Sequence, residues 1–293
     1  MLQEVVPMTT DTVRDIARDL LVRKAVDGVL GLAEDDAGVS PRGFDSPEAM
    51  DALVLEPKWV LSKIAVPVMS QAPQGYRLAV VCRGCDERAL VELGKRNRID
   101  FTRLHMIGVA CADARAQQCL CQQPWPSRVD AGEKVPGVDL SDNDRVRKYL
   151  GADRPARLEQ WREAFSRCIK CYGCRNACPV CNCDTCKLED RAWAGQGEIA
   201  PDMLTFHLMR SMHVADACVA CGACQEACPV GIPLMLLQLP LRNALRHSYG
   251  YEAGAEPERL SPLLSNYIDE PSQGISIPDW TDSLEEKPWD LIS

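Results

Sequence analysis

Two copies of one cysteine pattern constrain this chain more than any other feature. The first copy ends at Pro179 and the second at Pro229, and both read C-x2-C-x2-C-x3-C-P. No other part of the chain resembles them. The cysteines are Cys168, Cys171, Cys174 and Cys178 in the first copy, and Cys218, Cys221, Cys224 and Cys228 in the second.

This spacing is the ligand pattern of bacterial two-cluster ferredoxins. In those proteins three closely spaced thiolates bind one cluster, and the fourth cysteine ligates the other cluster. We therefore expect two 4Fe-4S clusters with crossed ligands. The first set is Cys168, Cys171, Cys174 and Cys228, and the second set is Cys218, Cys221, Cys224 and Cys178.

Structural zinc is the alternative for these cysteines, because C-x2-C pairs also ligate zinc. Zinc knuckles normally pair two C-x2-C units across an intervening loop. Here a third cysteine follows two residues later and a proline follows the fourth, and both features occur twice. The pattern therefore favours iron-sulfur clusters over zinc.

Length and charge suggest two domains and a tail. The 293 residues allow an α/β domain over 1–150, a mainly α-helical dicluster ferredoxin domain over 151–250 and an acidic extended tail over 251–293. The net charge of -9 is uneven, with -2, +1 and -8 in these three segments. No basic patch points to nucleic acid as a partner.

The amino terminus and the apolar runs bear on where the protein resides. The start, MLQEVVPMTTDTVRD, has neither a basic n-region nor an apolar h-region. We therefore expect a cytoplasmic protein, whose thiols stay reduced. The longest apolar run, Val230 to Leu241, is too short for a bilayer and contains two prolines, so no membrane span is expected.

The first 150 residues have the pattern of an α/β fold. A helix is predicted over Asp11 to Lys24, and buried strands over Gly28 to Ala33, Arg77 to Cys82 and Leu104 to Ala110. A helix over Asp86 to Asn97 joins the last two strands. Strand, helix and strand with short connections predict a right-handed βαβ unit in a short parallel sheet.

Five further cysteines gather at one edge of this predicted sheet. Cys82 and Cys85 lie where a strand gives way to its helix, Cys111 closes the next strand, and Cys119 and Cys121 follow in one loop. Open α/β sheets bind their ligands at this edge. Buried cysteines also serve as small apolar core residues, but five around strand ends favour a metal site.

The same region resembles a known family. The stretch RLAVVCRGCDERALVELGKRNRIDFTRLHMIGVAC, with KAVDGVLGL and PKWVLSKIA before it, resembles the amino-terminal half of the iron-sulfur flavoprotein β subunits of deazaflavin-dependent formate dehydrogenases and hydrogenases. CDERALVELGKR and IGVAC are its most specific pieces. In that family, matching cysteines contribute to a cluster site. The resemblance therefore implies a further cluster at Cys85, Cys111, Cys119 and Cys121, ahead of Pro124 and Pro126.

The chain also departs from that family. Members continue into a second half that completes the flavin and deazaflavin pocket, whereas this chain passes from Cys111 to the cysteine pair within eight residues and then into the ferredoxin repeat. The flavin half has no counterpart in this sequence. FAD is therefore expected only if the chain is a flavin-containing subunit, which is the alternative function.

Four cysteines remain after these assignments. Cys181, Cys183 and Cys186 follow the first motif, and Cys82 lies in the sheet domain. Together they supply four ligands, which predicts a fourth cluster at the junction of the two domains. The alternative is that the three later cysteines bind zinc or fill space.

The remaining sequence indicates helices and an apolar arm. Helices are predicted over Arg157 to Cys168 and Pro201 to Val214, and two shorter ones over Ile232 to Leu239 and Leu241 to His247, separated by Pro240. The tail is acidic yet apolar enough to wrap its own domain or a partner. Its apolar residues are Leu263, Leu264, Tyr267, Ile268, Trp280, Leu284 and Trp289.

The sequence contains no catalytic constellation beyond the cysteines. The histidines His105, His207, His213 and His247 are scattered, and there is no complete dinucleotide fingerprint and no P-loop. The first hypothesis is a non-catalytic subunit that passes single electrons through several 4Fe-4S clusters in a cytoplasmic anaerobic oxidoreductase complex. The resemblance implies formate dehydrogenase, hydrogenase or heterodisulfide-reductase-type redox subunits as partners. The alternatives are a flavin-containing subunit that converts two-electron to one-electron transfer, and a structural zinc protein.

Overall fold

The chain forms two compact units in a computed structural model, Met1–Val138 and Asp139–Ser293. The structure describes residues 2–141, 143–190, 197 and 199–263. Each unit is described by itself.

The first unit is an α/β domain, which confirms the predicted class. Two single-turn 3-10 helices, Glu48–Ala52 and Phe101–Arg103, lie in its connections. The main elements in chain order are α1 (Leu2–Val22), β1 (Gly28–Asp35), β2 (Gly38–Phe44), β3 (Leu53–Val54), α2 (Ser62–Gln71), β4 (Leu78–Arg83), α3 (Gly84–Lys95), β5 (Leu104–Val109) and α4 (Asp113–Cys119).

The sheet is mixed, with strand order β2-β1-β4-β5 and β3 paired to β1. The predicted strands β1, β4 and β5 run parallel, whereas β2 and β3 are antiparallel to β1. Strand β2 was not predicted, because its residues around Pro41 have the composition of a turn. Pro41 pairs with Leu32 in a strand at the sheet edge, where a missing N–H is tolerated.

The apolar core of this unit lies between the sheet and the helices that flank it. Every residue of β4 is buried, as expected for a strand that is covered on both faces. Val13 of α1 and Leu90 and Leu93 of α3 are fully buried in the same core. Each such side chain contributes about 1.5–3 kcal/mol of transfer free energy, so the sheet is a stable platform for the loops at its edge.

The second unit is helical around the two cysteine motifs. A π-helical turn, Met203–Leu208, leads directly into one of its helices, and a 3-10 turn covers Lys187–Glu189. The helices are α5 (Asp144–Leu150), α6 (Arg154–Ser166), α7 (Gly173–Asn176), α8 (Met209–His213), α9 (Ala223–Glu226) and α10 (Leu234–Tyr249). Helix α5 packs against α6 and α10, so the division between the units falls before the predicted boundary at residue 150.

Helix α10 corrects one prediction. Two helices separated by Pro240 were expected, but a single helix runs through this proline. A proline inside a helix costs about 3 kcal/mol or more. Burial of Leu234, Met235, Leu236 and Leu239 contributes about 1.5–3 kcal/mol for each side chain, which outweighs that cost.

The first part of the predicted tail packs on the helical unit. Tyr251 and Ser261 are buried, and the Ser261 hydroxyl donates to Asp216 Oδ2 at 2.5 Å. The Arg259 guanidinium donates to the carbonyl of Gly250 at 2.7 Å. Residues 264–293, which include Trp280 and Trp289, lie outside the described residues. None of the described helices is long and apolar enough to cross a membrane.

Candidate metal centres

The two cysteine motifs adopt the same backbone, fifty residues apart. Lys170 and Tyr172 have left-handed φ values of 52° and 59°, and the corresponding Ala220 and Gly222 have 54° and 77°. One-turn helices, α7 and α9, follow at equivalent places. Left-handed non-glycine residues cost about 1–3 kcal/mol each and persist only where the surrounding structure requires them. The repeat is therefore a repeat of structure as well as of sequence.

Hydrogen bonds repeat in the same way. The N–H of Cys178 donates to the carbonyl of Arg175 at 3.2 Å, and the N–H of Cys228 donates to the carbonyl of Gln225 at 3.2 Å. Each bond closes the turn that carries the fourth cysteine of its motif. Both fourth cysteines thus leave their own loops with the same geometry.

The thiols of the first predicted set are neighbours. Burial raises the pKa of Cys168, and the nearby Cys174, Cys171 and Cys228 raise it further. Backbone N–H groups of Lys170 and Ile232 donate to the Sγ atoms of Cys168 and Cys228, both at 3.4 Å. Cys228 thus lies with the first motif, although it belongs to the second in sequence.

The second predicted set shows the reciprocal exchange. Burial raises the pKa of Cys224 to about 12, and Cys178 and Cys218 act in the same direction. Burial is also the main cause of the raised pKa of Cys218, and Cys178 raises it further. These relations support the crossed ligand sets, which remain a prediction.

A buried arginine that the sequence analysis missed lies among these thiols. Arg210 of α8 is 3% exposed, and its Nη2 donates to the carbonyl of Cys174 at 2.7 Å. Burial lowers the pKa of Arg210, but the thiols of Cys178, Cys174 and Cys224 outweigh that effect and raise it overall. The sequence signal that could have indicated burial of Arg210 is helical spacing, because Arg210 lies four residues after Phe206 and four before Val214, and both are buried. Met212, an apolar residue of the same predicted helix, is instead 57% exposed.

His207, beside Arg210, is held by aromatic packing. Its ring stacks on Phe165 with centroids 4.0 Å apart and meets Phe206 edge-on. Within the described residues neither ring nitrogen has a hydrogen-bond partner. Burial, followed by the charge of Arg210, lowers the pKa of His207 to about 4, so the ring is neutral at pH 7.

The four cysteines assigned through the family resemblance also come together. The pKa of Cys111 is raised to about 11, mainly by burial. The charge of Arg83 lowers this pKa in part, whereas the neighbouring Cys121 and Cys119 raise it further. Burial likewise raises the pKa of Cys85 to about 12, with Cys111 among its neighbours. Three chain segments therefore deliver these thiols to one edge of the sheet.

The local fold at this edge explains that placement. The Asp86 carboxylate accepts from the N–H groups of Arg83 at 3.2 Å and Ser62 at 3.0 Å, which positions the first turn of α3 and hence Cys85. Leu120 ends α4 in the left-handed region, with φ of 51°, and turns the chain between Cys119 and Cys121. The Cys111 N–H donates to the carbonyl of Pro124 at 2.8 Å and holds the following loop.

Two glycines allow that loop to approach the strands. A Cβ on Gly84 would lie 2.3 Å from the carbonyl oxygen of Trp125, and one on Gly108 would lie 1.9 Å from that of Arg128. Neither position has room for a side chain. The loop over residues 122–128 is therefore packed directly on the strand ends.

Basic side chains surround these four thiols. Lys58 Nζ lies 3.2 Å from Cys119 Sγ, and the buried Arg83 pairs with Glu56 at 3.1 Å. Nearby cations stabilise thiolates, the form in which cysteine ligates metal. Arg83 lies between Cys82 and Cys85 in the sequence, whereas Lys58 is brought to Cys119 from 61 residues away only by folding.

The last predicted set is spread over both units. Cys82 is fully buried in the apolar core of the first unit. Burial raises the pKa of Cys82 well above its ordinary value, and the charges of Asp86 and Glu87 raise it further. In the second unit, Cys181 forms a hydrogen bond with Cys178 that lowers the pKa of Cys178 to about 6. Cys183 is exposed and Cys186 is half-buried. Among the described residues, no group of three or more His, Cys, Asp or Glu side chains is arranged to hold one metal ion.

The comparison with known families follows this geometry. Residues 164–232 match the family described as a 4Fe-4S dicluster domain. The helical unit contains a 4Fe-4S dicluster domain. Its residues fit that cofactor, because neighbouring thiols, N–H donors to sulfur and a buried cation are the surroundings that stabilise and tune clusters.

Two curated relatives match longer stretches of the chain than the dicluster domain. The F420-dependent formate dehydrogenase subunit beta of Methanocaldococcus jannaschii is 34% identical over 145 residues, 49% of this chain and 38% of the relative. The F420-dependent formate dehydrogenase 1 subunit beta of Methanococcus maripaludis is 35% identical over 199 residues, 63% of this chain and 51% of the relative. The chain spans about half or less of the length of these relatives. The resemblance to this family is confirmed, and the chain is an iron-sulfur protein of the electron-transfer type.

Proposed function

We propose that this chain is the electron-transfer subunit of a cytoplasmic anaerobic oxidoreductase complex of the formate dehydrogenase, hydrogenase or heterodisulfide-reductase type. It relays single electrons between a catalytic subunit and an acceptor subunit. The observation that carries the proposal is the pair of equivalent cysteine loops in one domain, where Cys228 neighbours Cys168 and Cys178 neighbours Cys224. This arrangement supports two cluster sites in one domain, as a relay requires.

The two loops differ in exposure, which gives the relay a surface end. Cys171 and Arg167 of the first loop are exposed, and Ile169 is 48% exposed. The corresponding residues of the second loop are better covered, with Val219 only 2% exposed. The first loop is therefore the end at which electrons enter or leave the dicluster domain.

The sheet-edge thiols extend the relay. Cys85, Cys111, Cys119 and Cys121 are neighbours, and Lys58 and Arg83 offset the negative charge that thiolates bring. These features support a third 4Fe-4S cluster in the α/β unit. A fourth cluster on Cys82, Cys181, Cys183 and Cys186 has less support, because full burial among apolar side chains favours a structural role for Cys82.

The subunit names of the relatives support a larger assembly. Both are β subunits of F420-dependent formate dehydrogenases. We infer that other redox subunits bind this chain and that they, rather than this chain, carry the catalytic site.

Anaerobic purification followed by iron, acid-labile sulfide, zinc and flavin determination tests the proposal. Two clusters correspond to about eight irons per chain, and the sheet-edge site raises this to about twelve, with equal sulfide. About four irons or fewer, or zinc in their place, contradicts the relay. Stoichiometric flavin would instead support the two-electron to one-electron alternative.

A further inference from the structure

Arg210 carries a charge that the described protein groups leave poorly compensated. Its side chain is 3% exposed, and Nη2 is satisfied by the carbonyl of Cys174. In the described part of the chain its Nε has no hydrogen-bond partner. A guanidinium stays protonated in proteins, and a buried charge requires an anionic partner to offset the loss of hydration.

The groups that act most strongly on Arg210 are thiols from both cluster sites. Cys174 belongs to the first predicted set, whereas Cys178 and Cys224 belong to the second. These sulfurs become anionic when they ligate iron. Clusters bound by these thiols would therefore supply the counter-charge that the buried guanidinium needs.

Arg242 of the same unit shows the ordinary arrangement. It is also buried, and it lies close enough to Cys218 to act on that thiol. However, Arg242 forms an ion pair with Glu252. Its charge is thus neutralised locally, which makes it a matched comparison for Arg210.

The backbone before Arg210 is also unusual. The π-helical turn Met203–Leu208 ends two residues earlier. Such turns shift helical register and frequently occur at functional sites. In this register Phe206 and Arg210 both face inward, so the turn helps to aim the guanidinium at the thiols.

We propose that Arg210 is a positioning residue for electron transfer, a buried positive charge shared by both clusters that raises their reduction potentials. Reduction adds one electron, and hence one negative charge, to a site beside a fixed cation. In surroundings with a low dielectric constant that attraction is poorly screened, and cluster potentials respond to nearby charge. The effect is larger for the cluster of Cys178, Cys218, Cys221 and Cys224, because two of its thiols adjoin Arg210.

The test uses the full chain with its clusters, in the variants Arg210→Gln, Arg210→Lys and Arg242→Gln. Potentiometric titration followed by EPR measures each one-electron potential, while iron and sulfide determination reports cluster content. In Arg210→Gln we expect the reduction equilibrium constant of the second cluster to fall by about tenfold or more, about 59 mV for one electron. A smaller fall is expected for the first cluster.

The controls decide between charge and packing. Arg210→Lys should keep potentials near those of the unmodified chain, and Arg242→Gln should shift them much less than Arg210→Gln. Equal shifts in the two Gln variants, or unchanged potentials in a fully loaded Arg210→Gln protein, would overturn the proposal.

If Arg210→Gln loses its clusters, the Arg210→Lys variant becomes the test. Clusters that are retained with normal potentials in Arg210→Lys would support the proposed role of the positive charge, and loss of its clusters would refute that role. Because the inference rests on the dicluster domain and not on the proposed complex, either can fail alone.

Discussion

At the scale of single residues, each thiol's role depends on which neighbours folding provides. Cys228 acts on the thiol of Cys168, and Cys178 acts on those of Cys218 and Cys224, which supports the prediction that each motif completes the site of the other. Cys82, only three residues before Cys85, instead packs among apolar side chains. Cysteines that are close in sequence therefore have different surroundings in the folded chain.

Replacing Cys228 with serine should disturb the cluster held by Cys168, Cys171 and Cys174. The hydroxyl is a poorer ligand for iron than a thiolate, so the EPR signal and potential of that cluster should change first. Cys82→Ala is the control, and its iron content should match that of the unmodified protein. A change confined to the cluster of Cys218, Cys221 and Cys224 would refute the crossed assignment.

At the scale of elements, the loops that follow strands and helices bring the cysteines together. In the α/β unit, the turn from β4 to α3, the end of β5 and the end of α4 each deliver thiols to the sheet edge. The loop over 122–128 holds this arrangement through its contacts with Gly84 and Gly108. The sheet-edge site therefore depends on backbone packing as much as on its cysteines.

Replacing Gly108 with alanine tests that dependence. The added Cβ would lie 1.9 Å from the carbonyl oxygen of Arg128, so the loop must move. Overpacking of this kind costs about 1–3 kcal/mol, measurable by denaturant unfolding, and should lower iron occupancy at the sheet edge while sparing the dicluster domain. Gly43 of β2 has open space around it, so Gly43→Ala should change stability by less than about 0.5 kcal/mol. Equal effects of the two substitutions would contradict this account.

At the scale of the whole molecule, the structure describes only the first part of the acidic tail, residues 251–263. Residues 251–263 belong to the helical unit, because Tyr251 and Ser261 are buried and Glu252 pairs with Arg242. Residues 264–293 contain both tail tryptophans and seven of the ten acidic residues of the tail. We propose the second region as a docking element for a redox partner, whose basic surface its charge would steer toward.

Two truncations separate these roles. A chain that ends at Leu263 should keep its clusters, spectra and unfolding midpoint but retain less of a redox partner during co-purification. A chain that ends at Gly250 should also lose stability, because it lacks the buried Tyr251 and the bond from Ser261 to Asp216. Loss of clusters from the chain that ends at Leu263 would show that residues 264–293 protect the dicluster domain. If that chain retains the partner as well as the full chain does, residues 264–293 have no docking role.

The sequence by itself determined the chemistry and the class of both units. Cysteine spacing is a local property, so the two motifs predicted a dicluster domain directly, and runs of apolar residues predicted β1, β4 and β5. Local patterns also produced the errors: the turn-like residues of β2 concealed an edge strand, and Pro240 suggested a break where burial keeps α10 intact.

Only the tertiary structure decided how distant groups meet. The neighbours of Cys168 include Cys228, sixty residues away, and Arg210 reaches the thiols of both motifs from a helix between them. Lys58 approaches Cys119 across a comparable separation. Such contacts depend on long-range packing and burial, whose free energies belong to the folded chain as a whole and leave no periodic trace in the sequence. For that reason the spacing of the cysteines could predict candidate ligands of the dicluster domain, whereas it could not predict the charged side chains beside them.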